Sequence, residues 1–408
     1  MKAIHHLALA GCGGMGRRHL RGYKLSMNRE PNRFELSAVI DTDIKRANFL
    51  ASEAENLLNH RPLAFTSVEE AASRIKRLNC LDIVTSVSSH PKLTTIAAEL
   101  GLHVLCEKPM AATLEDCKKM QKIMSNNNLV LSIAENYRRD PLSRLTKALL
   151  NEGAIGEIRS LLDITASGGN QGHAGPWRYL KSEGGPILEA GVHNADMQLF
   201  LCGNIKNVMA TTKLNEPTRD FKNAKIKPFH DHYAQAYPLS QTADTPDMLM
   251  AIIEFENGLN GQWLYDHSAH GPSINQFTIF GSEGQLNIQS LRSGKPLIIF
   301  QDKQKTSLSG EEVLALVPKF NLDARTSMFF GGSRLTQYDN KGMGLGAGAD
   351  IKLLAIELGE FLDAIEKKLK VEIGPLQGML PVAIILACLE SARTANQISI
   401  KNFLTNST

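Results

Sequence analysis

Over the first third of the chain, apolar residues gather in short runs at positions 7–10, 36–40, 82–87, 103–105 and 129–134. Between the runs lie segments with helical spacing, as with His19, Leu20, Tyr23 and Leu25 after the first. The runs read as buried strands and the intervening segments as amphipathic helices. Helix ends carry their own marks. Gly101 stands where a C-cap belongs after a helix over 91–100, and Thr113, with Asp116 three residues on, marks the start of a helix running towards Met124. Strand and helix alternating in this way predict a parallel, doubly wound sheet.

After Pro141 the rhythm changes. Strands accumulate at 158–166, 208–214, 248–255, 261–267, 277–280, 285–289 and 297–301, with Asn257-Gly258 and Ser282-Glu283-Gly284 as hairpin turns. A helix over 187–201 follows the first of these strands. Strands in succession without helices between them predict a mostly antiparallel sheet, hence a second domain. The expected fold class is α/β followed by α+β, with domains at 1–140 and 141–408. Apolar helices at 351–369 and 378–397 are expected to pack on one of the sheets. The stretches 216–247 and 303–349 are long and irregular, the length at which loops are usually functional. The first is read as shaping a substrate pocket. The second holds a glycine-rich run at 342–348, and no strand precedes it, so the context of a phosphate site is missing.

Composition narrows the class. A chain of 408 residues exceeds what one core usually supports. Its net charge of +3 is small, and lysines and arginines are spread along the chain, so neither nucleic acid nor a membrane surface is the expected partner. No run of about 18 apolar residues is apparent and the start lacks the apolar core of a secretory signal, so a cytoplasmic location is expected. The six cysteines are scattered without a C-x-x-C pair, which argues against a disulfide framework and a thiolate metal site. Cys12 and Cys106 read as small buried residues. His230-x-His232 and His267-x-x-His270 lack a carboxylate or cysteine at ligand spacing, so no metal is expected.

The chemistry begins directly after the first run. Gly11-Cys12-Gly13-Gly14-Met15-Gly16 is G-x-G-x-x-G between a strand and a helix, the context a dinucleotide turn requires. Gly11 and Gly13 let the backbone turn tightly beside a pyrophosphate, and Gly16 lets helix and strand pack closely. The second run ends in Asp41, a residue type suited to a ribose 2′-hydroxyl and equally to capping the next helix. Asp41 and Asp43 would repel a 2′-phosphate, so NAD is expected over NADP. Lys108 falls at the carboxyl end of a predicted strand, where open α/β sheets place their ligands; on spacing alone it is also an ordinary exposed loop lysine. On the helix over 187–201, Glu189 and His193 stand at i and i+4 on one face, with Asp196 three residues on, placed to orient the imidazole. Histidine is the commonest acid and base, and is equally common as a satisfied core or surface residue.

Taken together, the glycine turn, Asp41, Glu107-Lys108-Pro109 and the Gly184-Gly185 stretch leading to Gly191-x-His193-x-x-Asp196 resemble the Gfo/Idh/MocA family of glucose-fructose oxidoreductase and inositol 2-dehydrogenase. The resemblance covers nearly the whole chain. It implies a Rossmann domain, an open-faced antiparallel sheet domain, and NAD with a sugar, polyol or related substrate. It implies catalytic roles for Lys108 and His193, and leaves that of Glu189 open because many members have Asp there. It implies cofactor contacts at Gly11, Gly13, Gly14, Met15, Gly16, Asp41, Thr85, His90, Glu107, Lys108 and Asn136, with Trp177 and Arg178 near nicotinamide and substrate. Lys108, Tyr137, Arg178, His193 and Asn194 are the implied substrate residues. A homodimer or homotetramer through the sheet face is implied as well.

Alcohol oxidation explains these residue types. The hydroxyl proton must leave as hydride departs, and a lysine amine or an imidazole within hydrogen-bond reach can take it. The leading expectation is a dehydrogenase acting on a secondary alcohol of a sugar, inositol or polyol. A second is a redox-neutral NAD-dependent glycoside hydrolase working by transient oxidation, elimination and re-reduction. A third is a non-catalytic NAD-binding regulator on the same fold, which would not need Lys108 and His193.

Overall fold

A computed structural model describes residues 4–172, 175–222, 231–234, 236–303, 305–342 and 348–406. In chain order the elements begin with β1 (His5–Ala10), α1 (Gly14–Arg29), β2 (Phe34–Ile40), α2 (Ile44–Leu58), β3 (Leu63–Phe65) and α3 (Val68–Arg74). β4 (Leu78–Ile83), α4 (His90–Glu99), β5 (His103–Glu107), α5 (Leu114–Asn126), β6 (Leu131–Ala134) and α6 (Pro141–Asn151) follow. Next are β7 (Ile158–Gly168), α7 (Gly185–Cys202), β8 (Ile205–Lys213), β9 (Thr218–Asp220), α8 (Asp231–Ala234) and β10 (Ser240–Thr242). Then come β11 (Met248–Phe255), β12 (Asn260–Ala269), β13 (Ile274–Gly281), β14 (Gly284–Ile288), β15 (Ile298–Gln301) and β16 (Thr306–Ser309). The chain ends with α9 (Ala324–Phe330), α10 (Gly348–Lys367), α11 (Pro375–Thr394), β17 (Ile398–Ser399) and α12 (Ile400–Asn406).

The chain divides into two compact units. The first comprises residues 1–136, 226–236 and 342–379, and the second 137–225, 237–341 and 380–408. Residues 226–236 and 342–379, which sequence reading gives to the second domain, therefore group with the first.

The first unit is built on a parallel sheet of order β3-β2-β1-β4-β5-β6. Leu7, Leu9, Leu36 and Val39 are fully buried in it, each contributing about 1.5–3 kcal/mol by leaving water. Helix α10 joins this core through Leu358, Phe361 and Leu362. Arg33 fastens its far end by bonds to Asp363 and Glu366. Strand β4 starts four residues earlier than its apolar run suggests, because Leu78 to Ile83 pairs with β1; the chain from Val87 coils into a short 3-10 turn leading to α4. Thr113 caps α5 as expected, accepting from the Asp116 amide.

The second unit holds a mixed sheet of order β16-β15-β14-β13-β7-β12-β11-β8-β17. Every pairing is antiparallel except β7 with β12. Helix α7 lies close to one face at Gly191, where an added Cβ would come within 3.1 Å of Ile385 and 3.6 Å of the buried Trp263. Helix α11 modifies the sequence reading of apolar runs, since its length and composition would suffice to cross a membrane. Val382, Ala383, Ile384, Ile385, Ala387 and Cys388 are nevertheless fully buried inside the protein, as in a core helix.

Candidate active site

Because β1, β2, β4, β5 and β6 run parallel, the residues following them collect at one edge of their sheet. Gly11 to Gly16 follow β1, Asp41 follows β2, Thr85 lies just past β4, Lys108 follows β5 and Asn136 lies just past β6. Two of the glycines serve the fold. Gly11 has φ +104°, and a Cβ there would meet the Val84 carbonyl oxygen at 2.5 Å; at Gly16 it would meet the Gly11 oxygen at 2.2 Å. Gly13 differs, since a Cβ there would meet nothing within 4 Å. Helix α1 begins beside it with no side-chain cap and no acid in its first turn, which leaves the helix amino end to an external anion. The turn therefore fits a dinucleotide phosphate by an observation independent of the motif. Asp41 is held in place, its two oxygens accepting the amides of Cys12 and Asp43, both at 3.0 Å.

Lys108 is half-buried, joined to Pro109 by a cis peptide bond, and stands over a buried polar network. The amide of Lys108 donates to one oxygen of Glu107 at 3.1 Å. The other oxygen of Glu107 lies 3.0 Å from Nε2 of His19, whose Nδ1 lies 2.7 Å from Asp82. Tyr23 also donates to Asp82. Burial pulls His19 towards its neutral form, but the charge and hydrogen bond of Asp82, with those of Glu107, push it up to about 10. Burial likewise works against the Glu107 carboxylate, and the bond and charge of His19 hold its pKa below the ordinary value. His90 faces the carbonyl oxygens of Pro109 and Thr85 at 3.0 and 3.2 Å, tying the loop after β4 to the loop after β5. Burial pushes its pKa down.

In the second unit, α7 presents His193 half-buried, its ring stacked on Tyr137 at 4.1 Å between centroids. The Arg292 guanidinium lies 3.9 Å from the centre of the same tyrosine ring. One turn earlier on α7, Glu189 accepts from Arg178, which also lies over Trp177 at 5.0 Å. Asn194 is turned inward, donating to Asp163 at 2.9 Å. Gln198 donates to the same carboxylate at 2.8 Å, yet burial pushes Asp163 up to about 7.

Residues 5–135 match the family model described as "Oxidoreductase family, NAD-binding Rossmann fold", and residues 143–287 match the GFO/IDH/MocA C-terminal domain. The chain belongs to the Gfo/Idh/MocA oxidoreductase family. It is 30% identical to the levoglucosan dehydrogenase of Pseudarthrobacter phenanthrenivorans over 232 residues, 56% of this chain and 59% of that protein. With the scyllo-inositol 2-dehydrogenase (NAD(+)) of Bacillus subtilis the identity is 25% over 216 residues, 53% of this chain and 56% of that protein. The sequence matches thus span little more than half of these relatives. At the level of fold the likeness is fuller. A levoglucosan dehydrogenase solved with NADH and levoglucosan superposes with TM-score 0.74 at 23% identity over 98% of this chain and all of that one. An NAD-binding oxidoreductase from Klebsiella pneumoniae gives 0.77 at 19% identity, over 98% of this chain and 99% of that one.

Within the Gfo/Idh/MocA frame the first unit is the NAD-binding Rossmann fold, and several residues expected at the site make bonds within the protein. Glu107 and His90, expected at the cofactor, bond to the loops after β4 and β5. Asn194 holds strand β7 through Asp163. Asp196, expected to orient His193, forms a bidentate pair with Arg138 and its charge is balanced there. Glu189, which shares a helix face with His193, is paired with Arg178, whose guanidinium reaches it from the 3-10 turn Pro176–Tyr179. The 216–247 stretch, read as a substrate pocket, sends residues 231–234 to the first unit, where the Tyr233 hydroxyl donates to the Cys12 carbonyl. His230 lies outside the described residues, as does 343–347 of the second glycine run. His267 is half-buried and His270 pairs with Glu216; among the described residues no three metal-ligand side chains gather. Sequence reasoning missed His19, Tyr23 and Asp82 as a network. The available signal was Asp82, an acid within an apolar run.

Proposed function

We propose that this Gfo/Idh/MocA protein is an NAD-dependent oxidoreductase that acts on a secondary alcohol of a sugar, inositol or related polyol. The observation that carries the reading is Lys108 at the carboxyl edge of the NAD-binding sheet, seated on the buried Glu107–His19–Asp82 network. A loop lysine with no task would not require three buried ionisable groups beneath it, because each is costly to bury. The sugar and polyol dehydrogenases to which the chain is similar support the substrate class.

NAD, when bound, supplies the hydride acceptor. The protein's part is the proton and the orientation. Lys108 takes the hydroxyl proton of the alcohol, and returns it in the reverse direction. His193, steadied by its stack on Tyr137, is the second group able to hold or pass a proton. Arg178, held by Glu189 and lying over Trp177, orients neighbouring hydroxyls with donors that cannot lose their charge. An assembly of two or four copies belongs to the proposal. Met209, Met250 and Ile252 stand more than half exposed on one face of β8 and β11, where Ile252 pairs directly with Met209. A cytoplasmic location is proposed with it.

The test is a panel of sugars, inositols and glycosides incubated with the protein and NAD, following NADH at 340 nm and cleavage by chromatography. The reading expects NADH in proportion to substrate. Cleavage of a glycoside with no NADH would replace it by the redox-neutral hydrolase.

A further inference from the structure

Between β9 and β10 the chain leaves the second unit, and α8 brings His232 and Tyr233 onto the first. The Tyr233 ring is buried there, with its hydroxyl 2.5 Å from the Cys12 carbonyl oxygen. Burial pushes the phenol pKa up, so it remains a donor. The opposite side of Cys12 is held too, its amide donating to Asp41 at 3.0 Å. One residue of the glycine turn is thus clamped between the ribose acid and Tyr233. Around it stands a cationic and aromatic wall. The Arg46 guanidinium lies 5.1 Å from the Tyr233 ring centre, and the exposed His232 stacks on Phe49 at 3.8 Å with 7° between the rings. Arg17 lies 5.7 Å from Phe49 and is fixed by two bonds to Glu53.

A phenol, a guanidinium and two stacked rings beside a ribose-binding carboxylate suit a purine nucleoside, which offers a flat ring and hydroxyls. We propose that Tyr233 and His232 form the outer wall of the adenosine half of the NAD site and slow release of the dinucleotide. The proposal rests on NAD binding at the glycine turn and not on any choice of substrate. Tyr233 acts by fixing the Cys12 carbonyl and closing the ribose edge, and Arg46, braced on its ring, faces the nucleoside.

The test uses the full chain and measures NADH release by stopped-flow displacement, reading nucleotide fluorescence. Tyr233→Phe removes only the hydroxyl, and is expected to speed release about tenfold, as loss of a single hydrogen bond allows. His232→Ala, at an exposed position that folding tolerates, is expected to speed it by a smaller factor. Reduced nicotinamide mononucleotide, which lacks adenosine, is expected to bind all forms alike. Unchanged NADH release in both variants overturns the proposal, as does slower release, which would make these side chains a plug. A parallel loss of mononucleotide affinity overturns it too, because the effect would then lie in the whole turn. Failure of the unmodified protein to bind NADH would instead sink the functional reading.

Discussion

His19 donates through Nε2 to Glu107, the carboxylate that receives the amide of Lys108, so an imidazole on the first helix sets the loop on which the proposed catalytic amine stands. Asp82 completes the arrangement from β4. A ring whose pKa is pushed up to about 10 carries a proton throughout the neutral range, and two buried carboxylates share it.

The first prediction follows from that sharing. His19→Gln leaves both carboxylates without their cation and should destabilise the first unit by about 3–5 kcal/mol, the usual cost of breaking a buried pair. The sign of the pH dependence is fixed. His19 has a folded pKa above its reference value of 6.5, so its contribution is full below that value and is lost as the pH rises through about 10. Urea titrations at pH ~6 and ~9 should show the native protein weakening more than the variant across the window. Equal slopes would mean that His19 is neutral.

A second prediction separates fold from ligand within one turn. Gly11→Ala puts a Cβ against the Val84 carbonyl at a φ of +104° and should lower stability by about 1–3 kcal/mol. Gly13→Ala meets no protein atom within 4 Å and should melt like the parent, yet weaken NADH binding about tenfold or more by intruding where the phosphates approach. Calorimetry read beside NADH titration checks both. A Gly13 variant with normal NADH affinity would remove the external ligand from the explanation.

The third prediction concerns Asp163. Burial pushes it up to about 7 from a reference of 3.8, so the folded protein holds a proton there that the unfolded chain releases. Stability should therefore fall as the pH rises through that interval and level off above it. Asp163→Asn removes the titration, and the variant should lose less stability than the parent between those limits. An equally steep fall in both, measured by denaturant titration, would show Asp163 ionised throughout.

How far such relationships could be read in advance depends on their distance along the chain. The alternation of apolar runs and helical spacing marks the parallel sheet because each period is local to its element. The parallel pairing of β7 with β12 is invisible to periodicity, since it joins positions about a hundred residues apart, such as Leu161 and Gly261. Strands β9, β10 and β17 are too short to show an alternation. In the site, motif spacing finds Lys108, His193 and Glu189 as residues but not the arginines that pair with the acids of α7. Asp196 and Glu189 are within a helical turn of His193, so helix geometry alone offers them to it. Arg138 and Arg178, which pair with them, arrive from outside the helix. Tyr233 reaches Cys12 across 221 positions, beyond any local pattern.

The last prediction tests the choice of dinucleotide. Asp41 stands fixed by the amides of Cys12 and Asp43, with its carboxylate at the end of β2 and a second acid two residues on. A hydrogen-bonded carboxylate favours a ribose 2′-hydroxyl, and its charge repels a 2′-phosphate of about −1.5 to −2. Asp41→Ser keeps a small acceptor but removes the charge, leaving Arg46 as the nearby cation that a phosphate can use. NADH affinity should then fall about tenfold while NADPH affinity rises, narrowing the ratio between them. Fluorescence titration with the two nucleotides at low and high salt reads the effect directly, and salt should weaken the variant's gain for NADPH because the attraction is between exposed charges. If NADPH binding is unmoved by the substitution, the discrimination lies elsewhere in the turn and the role given to Asp41 is wrong.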